Sequence, residues 1–256
     1  MAKIPWKYKR LVNKFFYLFR EKPIALKGLK NFLYHIRNLL RLGKMPQADL
    51  TGEKVLSKNK GYLYVAIPKV ATRSILSYFE KYDERDALVL HSSLNNIISE
   101  NDDIVSAYWF SFVRNPWARA YSCWLDKISN QLKFCDITII SRYEGLKPDM
   151  PFDKFVEWLC SEEGSDEHAD RHWMSQYELL GGEKYVEEFN FIGKIENLSD
   201  DFSIVGSKIN VGPNKLPELN LNQKDPLSYR DKYNDATKAL IAKRYKKDVT
   251  YFKYNF

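Results

Sequence analysis

Apolar runs alternate along the chain with amphipathic stretches, and the two patterns predict different elements. Strands are predicted where β-branched and aromatic residues run together, at 61–67, 88–90, 108–113 and 189–195. Helices are predicted where apolar residues recur every three or four positions, near 74–82, 94–99, 116–129, 152–160, 197–208 and 231–252. Because strands alternate with helices, the pattern predicts an α/β fold, a parallel sheet flanked by helices.

The chain divides by composition into three segments. Residues 1–45 carry two amphipathic stretches separated by Pro23, and they predict a basic N-terminal helical arm. Residues 46–60 are polar and predict a linker, and residues 61–256 hold the strand and helix pattern of one domain. Inside that domain, 130–150 is predicted to be a surface loop.

The positive charge is concentrated in the arm. The whole chain has a formal net charge of +7, whereas residues 1–45 hold twelve Lys and Arg against one acid, a net charge of +11. A basic amphipathic arm suits an anionic membrane surface, and it could equally pack on the domain, dimerise or attract polyanionic acceptors. Charge interrupts its apolar runs too often for a membrane span, no signal-peptide pattern is seen, and no nucleic-acid reader module is recognised.

Cysteine usage points to a reducing compartment. Cys123, Cys135 and Cys160 show no CxxC or zinc-ligand spacing. Their odd number, and the place of two of them in helical patterns, favour reduced thiols. We therefore expect no metal and a cytoplasmic protein, peripheral at the inner membrane surface if the arm binds lipid. The oligomeric state stays open.

An anion site is predicted where the strand at 61–67 ends. Pro68 stops the strand, and Lys69 follows it, with the hydroxyls of Thr72 and Ser74 at the start of a helix. Free N–H groups, the helix dipole, a lysine and two hydroxyls can all point at one phosphate there. The loop is P-loop-like, but it lacks the glycines that a nucleotide triphosphatase places before its lysine. Taken alone, an ordinary βα turn with a surface lysine is an equally good interpretation.

A second anion site is predicted where the strand at 108–113 ends. Asn115 is a good N-cap and Pro116 suits the first helical position, so Arg114 stands where a strand meets a helix. Its guanidinium can hold a phosphate in a bidentate manner, and Ser122, about two turns along the helix, offers a second ligand. Ligands bind outside the carboxyl ends of parallel strands, so both anion sites are expected at the same edge of the sheet.

Two phosphate sites at one sheet edge resemble the donor site of the sulfotransferases, and in particular of their carbohydrate branch. Residues 67–74, IPKVATRS, are similar to the family's 5′-phosphosulfate loop, and residues 112–122, FVRNPWARAYS, to its 3′-phosphate motif. Further similarities lie at 171–176, at 191–198 and in the tail at 245–254.

The resemblance implies transfer of a sulfuryl group from 3′-phosphoadenosine 5′-phosphosulfate to a hydroxyl group of a carbohydrate or glycolipid, with no metal required. It implies that Lys69 binds the 5′-phosphate and stabilises charge on the bridging oxygen as the bond to sulfur breaks. The other donor-binding residues would be Val70, Ala71, Thr72, Arg73 and Ser74 at the 5′-phosphate, with Arg114 and Ser122 at the 3′-phosphate. Transfer of this kind depends mainly on positioning and charge stabilisation.

A base must take the proton of the acceptor hydroxyl, and histidine titrates near neutrality. His91 follows the predicted strand at 88–90 and matches the position, between the two phosphate motifs, at which some glycan sulfotransferases carry a base histidine. A hydrogen-bonded loop histidine is the alternative interpretation, and a glutamate base stays open. In the RHW motif, Arg171, His172 and Trp173 are candidates for ordering the acceptor loop or contacting substrate.

Two other function classes stay open at this point. An ATP-dependent, P-loop-like kinase would also use anion sites at a sheet edge, although the loop glycines and an evident magnesium-binding acid after a strand are missing. A non-catalytic, membrane-associated binding protein would make use of the basic arm. A sulfotransferase predicts a clear preference for a 3′-phosphorylated nucleotide over ATP and AMP.

Overall fold

The computed structural model describes residues 46–131, 135–216 and 229–256, and of Asp102 and Asp103 only the backbone. The predicted basic arm, residues 1–45, lies outside the described residues. Within them the chain forms an α/β fold in which helices flank a five-stranded sheet. No helix in this described part of the chain is long and apolar enough to cross a membrane.

The strands are β1 (Lys54–Ser57), β2 (Tyr62–Val65), β3 (Ala87–Leu90), β4 (Tyr108–Val113) and β5 (Phe191–Lys194). The α-helices are α1 (Thr72–Tyr82), α2 (Leu94–Glu100), α3 (Pro116–Cys123), α4 (Ile137–Ile140), α5 (Phe152–Leu159), α6 (Gln176–Leu179), α7 (Leu198–Ile209), α8 (Asp235–Arg244) and α9 (Lys246–Tyr251). The predicted strand over 108–113 is confirmed with the same bounds. The strands predicted at 61–67 and 189–195 are confirmed with shorter bounds, and the one predicted at 88–90 begins one residue earlier.

The sheet is mixed and not wholly parallel. Its strand order is β3-β1-β2-β4-β5, with β2, β4 and β5 parallel to one another and β1 antiparallel to both of its neighbours. Strand β1 lies within 46–60, the stretch predicted to be a linker. It reads as polar because it begins at Lys54, a buried residue whose ammonium donates to the carbonyls of Leu50 (2.9 Å) and Ser92 (2.7 Å).

Aromatic side chains fill the space between the sheet and helices α1 and α7. Tyr64 of β2 stacks on Phe110 of β4 at 5.2 Å between ring centroids, and Tyr62 stacks on Phe79 of α1 at 5.2 Å. Phe202 of α7 continues the cluster. Burial of such rings contributes most of the stabilisation of a core, so this packing fixes the strand ends from which the site loops emerge.

Three of the predicted elements differ from the structure. The predicted helix at 116–129 becomes a π-helical turn after Cys123, and the predicted helix at 231–252 is two helices, α8 and α9, that meet at Tyr245. Of the surface loop predicted at 130–150, the described residues 130–131 and 135–150 are mostly turn and coil, as a loop would be, but the predicted surface position is wrong for part of them. Helix α4 lies there, and Ile140, Tyr143 and Leu146 are fully buried, so the apolar residues in this stretch belong to the core.

Candidate active site

The two predicted anion-binding loops follow neighbouring parallel strands. Val65, the last residue of β2, pairs with Ser111 of β4, so both strands end at the same edge of the sheet. Across this edge the Arg114 guanidinium donates from Nη1 to the main-chain oxygen of Lys69, at 3.3 Å. The structure therefore brings Lys69 and Arg114 together in one site.

The loop between β2 and α1 has an unusual backbone. Lys69 (φ 73°) and Ala71 (φ 47°) both adopt left-handed conformations, which cost a residue with a Cβ about 1–2 kcal/mol. Ala71 is the N-cap of α1, and no side chain of the described residues caps this helix. The first N–H groups of α1 are thus available to a ligand, and successive N–H groups in a turn of this kind can bind an anion.

Lys69 is held at the mouth of this loop by an acid. Its Nζ lies 3.2 Å from Asp126 Oδ2, and Lys127 Nζ lies 3.4 Å from the same oxygen. The Lys69 side chain is only 15% exposed, and burial lowers its pKa while Asp126 acts to raise it. Asp126 lies in the π-helical turn after α3, where sequence pattern alone marked nothing but a helix.

The other residues of the loop occupy different environments. The Thr72 hydroxyl donates to Ile67 O at 2.6 Å, so in this structure its proton binds the strand end and not the space in front of the loop. Val70 packs its side chain in the core, Ser74 is partly buried and Arg73 is exposed. The main-chain N–H groups and the Lys69 ammonium are thus the principal hydrogen-bond donors that this loop offers to an anion.

Arg114 is anchored through its backbone. Its N–H donates to Gln176 Oε1 (2.8 Å), and Gln176 Nε2 donates to Arg114 O (2.8 Å). The buried carboxylate of Asp248, from α9, accepts in turn from the N–H groups of Gln176 (3.0 Å) and Tyr177 (2.8 Å) at the start of α6. Burial lowers the pKa of Arg114, and the nearby Glu196 raises it. The guanidinium is therefore held on a rigid support.

Asn115 fixes the start of α3 as predicted. Its Oδ1 accepts from Trp117 N at 3.1 Å, which confirms the N-cap. Its own N–H donates to Glu196 Oε1 (2.7 Å), and Tyr254 donates its hydroxyl to the other Glu196 oxygen (3.0 Å). Ser122 lies on α3 and is partly buried, eight residues after Arg114.

Arg119 joins two loops of the site. Its side chain is 2% exposed, and its guanidinium donates to the carbonyls of Pro68 (3.2 Å), Met174 (2.7 Å) and Arg171 (3.1 Å). One guanidinium thus fixes the loop at 66–71, here called the lysine loop, against the loop that carries the RHW motif. A guanidinium has five N–H donors, so one side chain can satisfy all three carbonyl acceptors.

The structure separates the predicted histidine and aromatic candidates. His91 follows β3 at the same sheet edge as predicted, but β1 lies between β3 and β2, and the His91 side chain is exposed. His172 is largely buried, with Nδ1 2.5 Å from Asp170 Oδ1. Trp173 is 1% exposed and packs against Tyr143 and Trp158, which corrects its predicted contact with substrate.

Several residues of the site had no role in the sequence analysis. Gln176, Glu196 and Asp248 each lie in one of the motifs that carried the resemblance, which was the available signal. Arg119 lies in the motif at 112–122, whereas Asp126 and Asp170 lie outside every motif that carried the resemblance. In the described part of the chain, no three His, Cys, Asp or Glu side chains gather so as to hold a metal ion.

Comparison with known proteins gives a family match. Residues 53–255 match the model of the sulfotransferase family, so the match begins just before β1 and takes in both anion-binding loops, α6 and the tail. No curated protein and no solved structure matches the chain.

Proposed function

The chain belongs to the sulfotransferase family, and we propose that it transfers a sulfuryl group from 3′-phosphoadenosine 5′-phosphosulfate to a hydroxyl group of a carbohydrate or glycolipid. The observation that carries the proposal is the contact of Arg114 with the lysine loop, at 3.3 Å from Lys69 O. A site with cationic groups on two adjoining loops suits a nucleotide with phosphates at both ends of its ribose.

The lysine loop is assigned to the 5′-phosphosulfate. The N-terminus of α1 presents uncapped N–H groups and the positive end of the helix dipole, and Lys69 adds a full charge beside them. As the bond between sulfur and the bridging oxygen breaks, negative charge grows on the 5′-phosphate. A lysine already fixed by Asp126 stabilises that charge without further rearrangement.

The short loop between β4 and α3, residues 114–115, is called the arginine loop. It is assigned to the 3′-phosphate, with Ser122 as a second ligand. ATP and AMP lack this phosphate, so Arg114 would supply the discrimination against them. Gln176 holds both backbone groups of Arg114, and Glu196 fixes the next residue, so the guanidinium is preorganised for its anion.

The acceptor is proposed from the resemblance to the carbohydrate branch, which runs through the motifs at 171–176, 191–198 and 245–254. Three of the residues in these motifs, Gln176, Glu196 and Asp248, support the arginine loop. A cytoplasmic location, with contact to an anionic membrane surface through residues 1–45, is part of the same proposal.

Calorimetry with 3′-phosphoadenosine 5′-phosphate, AMP and ATP tests the donor. We expect the bisphosphorylated nucleoside to bind at least about tenfold more tightly than AMP, because a buried guanidinium contact to a phosphate is worth on the order of 1.5–3 kcal/mol. Equal affinity for AMP would remove the basis of the proposal, and a preference for ATP would favour a kinase.

Mass spectrometry tests the acceptor. The full chain and the sulfated donor are incubated with unsulfated chondroitin, with N-acetylheparosan and with vesicles containing galactosylceramide. A mass increase of one sulfate on any of the three identifies the acceptor class. Tight binding of the bisphosphorylated nucleoside, with sulfate transferred to none of these and no donor turnover, would instead indicate a non-catalytic binding protein.

A further inference from the structure

Asp170 and His172 form a closely joined pair on the loop before α6. His172 Nδ1 of the ring lies 2.5 Å from Asp170 Oδ1, and the main-chain N–H of His172 donates to the same oxygen at 3.0 Å. Arg142 Nη1 lies 3.6 Å from the other carboxylate oxygen. The His172 side chain is 16% exposed and the Asp170 side chain 4%. Two contacts to one carboxylate oxygen fix the orientation of the ring.

The surroundings define where the protons lie. Burial acts to raise the pKa of Asp170, but the hydrogen bonds and charge of His172, together with Arg142, lower it to about 2. The carboxylate is therefore ionised at neutral pH and only accepts, so Nδ1 of the ring must carry the hydrogen between them. In the neutral ring this leaves the lone pair on Nε2.

The neutral form of the ring is the favoured one near pH 7. Burial lowers the pKa of His172 below its ordinary value of about 6.5, and the raising effect of Asp170 does not cancel this. The positive charges of Lys127 and Arg171 lower it further. A base with a free lone pair at physiological pH results.

The pair lies beside the lysine loop. Arg119 donates to Pro68 O and to Arg171 O, so Lys69 and His172 each follow directly after a residue held by one guanidinium. Lys127, whose charge acts on His172, pairs with the same Asp126 oxygen as Lys69 does. Lys127 is therefore a charged neighbour that the imidazole shares with the pair formed by Lys69 and Asp126.

We propose that His172, oriented by Asp170, is the general base that takes the proton of the acceptor hydroxyl. This inference rests on the proposed sulfotransferase function. The acceptor oxygen forms its bond to sulfur as the bond from sulfur to the bridging oxygen breaks, and that electron pair goes to the 5′-phosphate beside Lys69. The hydroxyl proton goes to His172 Nε2 and leaves later to solvent, while Asp170 stays ionised as a positioning residue.

His91, the base implied by the family resemblance, lacks these features. It is exposed, it follows an edge strand separated from β2 by β1, and among the described residues no hydrogen bond orients its ring. The spacing of neighbouring strands is about 4.8 Å, which puts β3 about 10 Å from β2. A base must reach the reacting proton within about 3 Å, and His91 follows a strand that is two places away from the one that leads to Lys69.

The protonation state is tested without any acceptor. Long-range proton–nitrogen NMR of the full chain, with His172 assigned by its loss in His172→Gln, should give a neutral ring with the hydrogen on Nδ1 at pH 7.5. The control is His168, whose Nδ1 contacts the carbonyl of Pro46 and no carboxylate. A His172 ring that is charged at this pH, or that carries its hydrogen on Nε2, would overturn the proposal.

Turnover is tested as release of 3′-phosphoadenosine 5′-phosphate from the sulfated donor, with the acceptor that accepts sulfate or, lacking one, with water. His172→Ala should lower kcat by about 10²–10⁴, with affinity for 3′-phosphoadenosine 5′-phosphate within about twofold and partial rescue by imidazole. His168→Ala is the matched control, and His91→Ala should retain most turnover. Thermal melts show whether each variant is folded. If His172→Ala does not fold, His172→Gln takes its place.

Asp170→Asn gives a readout that a purely structural role would not move. Turnover needs neutral His172, so kcat falls as the pH drops through the pKa of His172. The Asp170 carboxylate raises that pKa. Its loss should therefore move the acidic side of the plot of kcat against pH to lower pH. If the acidic side of the plot of kcat against pH does not move in Asp170→Asn, or if His172→Ala keeps wild-type turnover, only the assignment of the base is overturned. Failure of the wild type to prefer the 3′-phosphorylated nucleoside overturns both proposals.

Discussion

Arg114 Nη1 and Lys69 O, 45 positions apart in the chain, are joined by a hydrogen bond of 3.3 Å. The contact links a side chain of one anion-binding loop to the backbone of the other. Because the Lys69 backbone is left-handed, its carbonyl is turned in a direction that an ordinary extended residue would not give. The two loops therefore behave as a single unit, and a change in either is expected to alter the donor site as a whole.

Replacing Arg114 with lysine should weaken recognition of the 3′-phosphate. The ammonium keeps the charge but loses the planar pair of donors, so affinity for 3′-phosphoadenosine 5′-phosphate should fall by about 10–100-fold while affinity for AMP changes little. Calorimetry on both ligands measures the ratio. Arg85→Lys, at an exposed position after α1, is the matched control. A parallel loss for both nucleotides would contradict the assignment of Arg114 to the 3′-phosphate.

Replacing Lys69 with alanine should act on turnover more than on binding. The ammonium is assigned to the charge that grows on the leaving phosphate, so kcat should drop by about 10²–10³. Release of 3′-phosphoadenosine 5′-phosphate from the sulfated donor measures it. Lys81→Ala, on the exposed side of α1, is the control. A kcat within about fivefold of wild type would show that Lys69 does not stabilise the leaving group.

Arg119→Lys should destabilise the protein and also loosen the site. A lysine cannot reach the three carbonyls that the guanidinium satisfies, and each buried acceptor left unpaired costs about 1–3 kcal/mol. We expect the free energy of unfolding to fall by about 2–4 kcal/mol in chemical denaturation. The exposed substitution Arg85→Lys should change it by less than about 0.5 kcal/mol. An unchanged midpoint of denaturation for Arg119→Lys would mean that the Arg119 guanidinium does not hold the two loops together in solution.

Ala71→Gly should stabilise the protein by about 0.5–1 kcal/mol. The left-handed backbone at Ala71 carries a steric cost that glycine removes, and the greater freedom of glycine in the unfolded chain offsets only part of it. Ala239→Gly, at an exposed position inside α8, is the opposite control and should lose about 1 kcal/mol. Equal losses for the two variants would show that the turn at Ala71 is not strained.

The prediction of the site depended on strand ends. The strand over 108–113 and the N-cap at Asn115 are read from local pattern, and both are confirmed. A strand followed by a capped helix fixes where Arg114 can stand, since backbone geometry leaves little freedom between them. The parallel neighbours β2 and β4 then turned two separate sequence motifs into one site.

Strand β1 escaped prediction for a physical reason. Its first residue is a lysine, which sequence analysis treats as exposed, whereas Lys54 is buried with its ammonium bonded to two carbonyls. Burial lowers its pKa to about 8. One of these carbonyls, that of Ser92, lies 38 residues away in the chain, and hydrogen bonds to carbonyls leave no trace in local hydropathy.

By itself, the sequence determined the α/β class, the main strand and helix positions, and the place of Lys69 and Arg114 after two of the strands. These follow from periodicity, caps and breakers, which act over a few residues. Only the tertiary structure decided that Arg119 clamps the loops, that Trp173 is core, and that Asp170 orients His172 beside the lysine loop. Burial and hydrogen-bond partners set those roles, and both depend on chain segments that are brought together only when the protein folds.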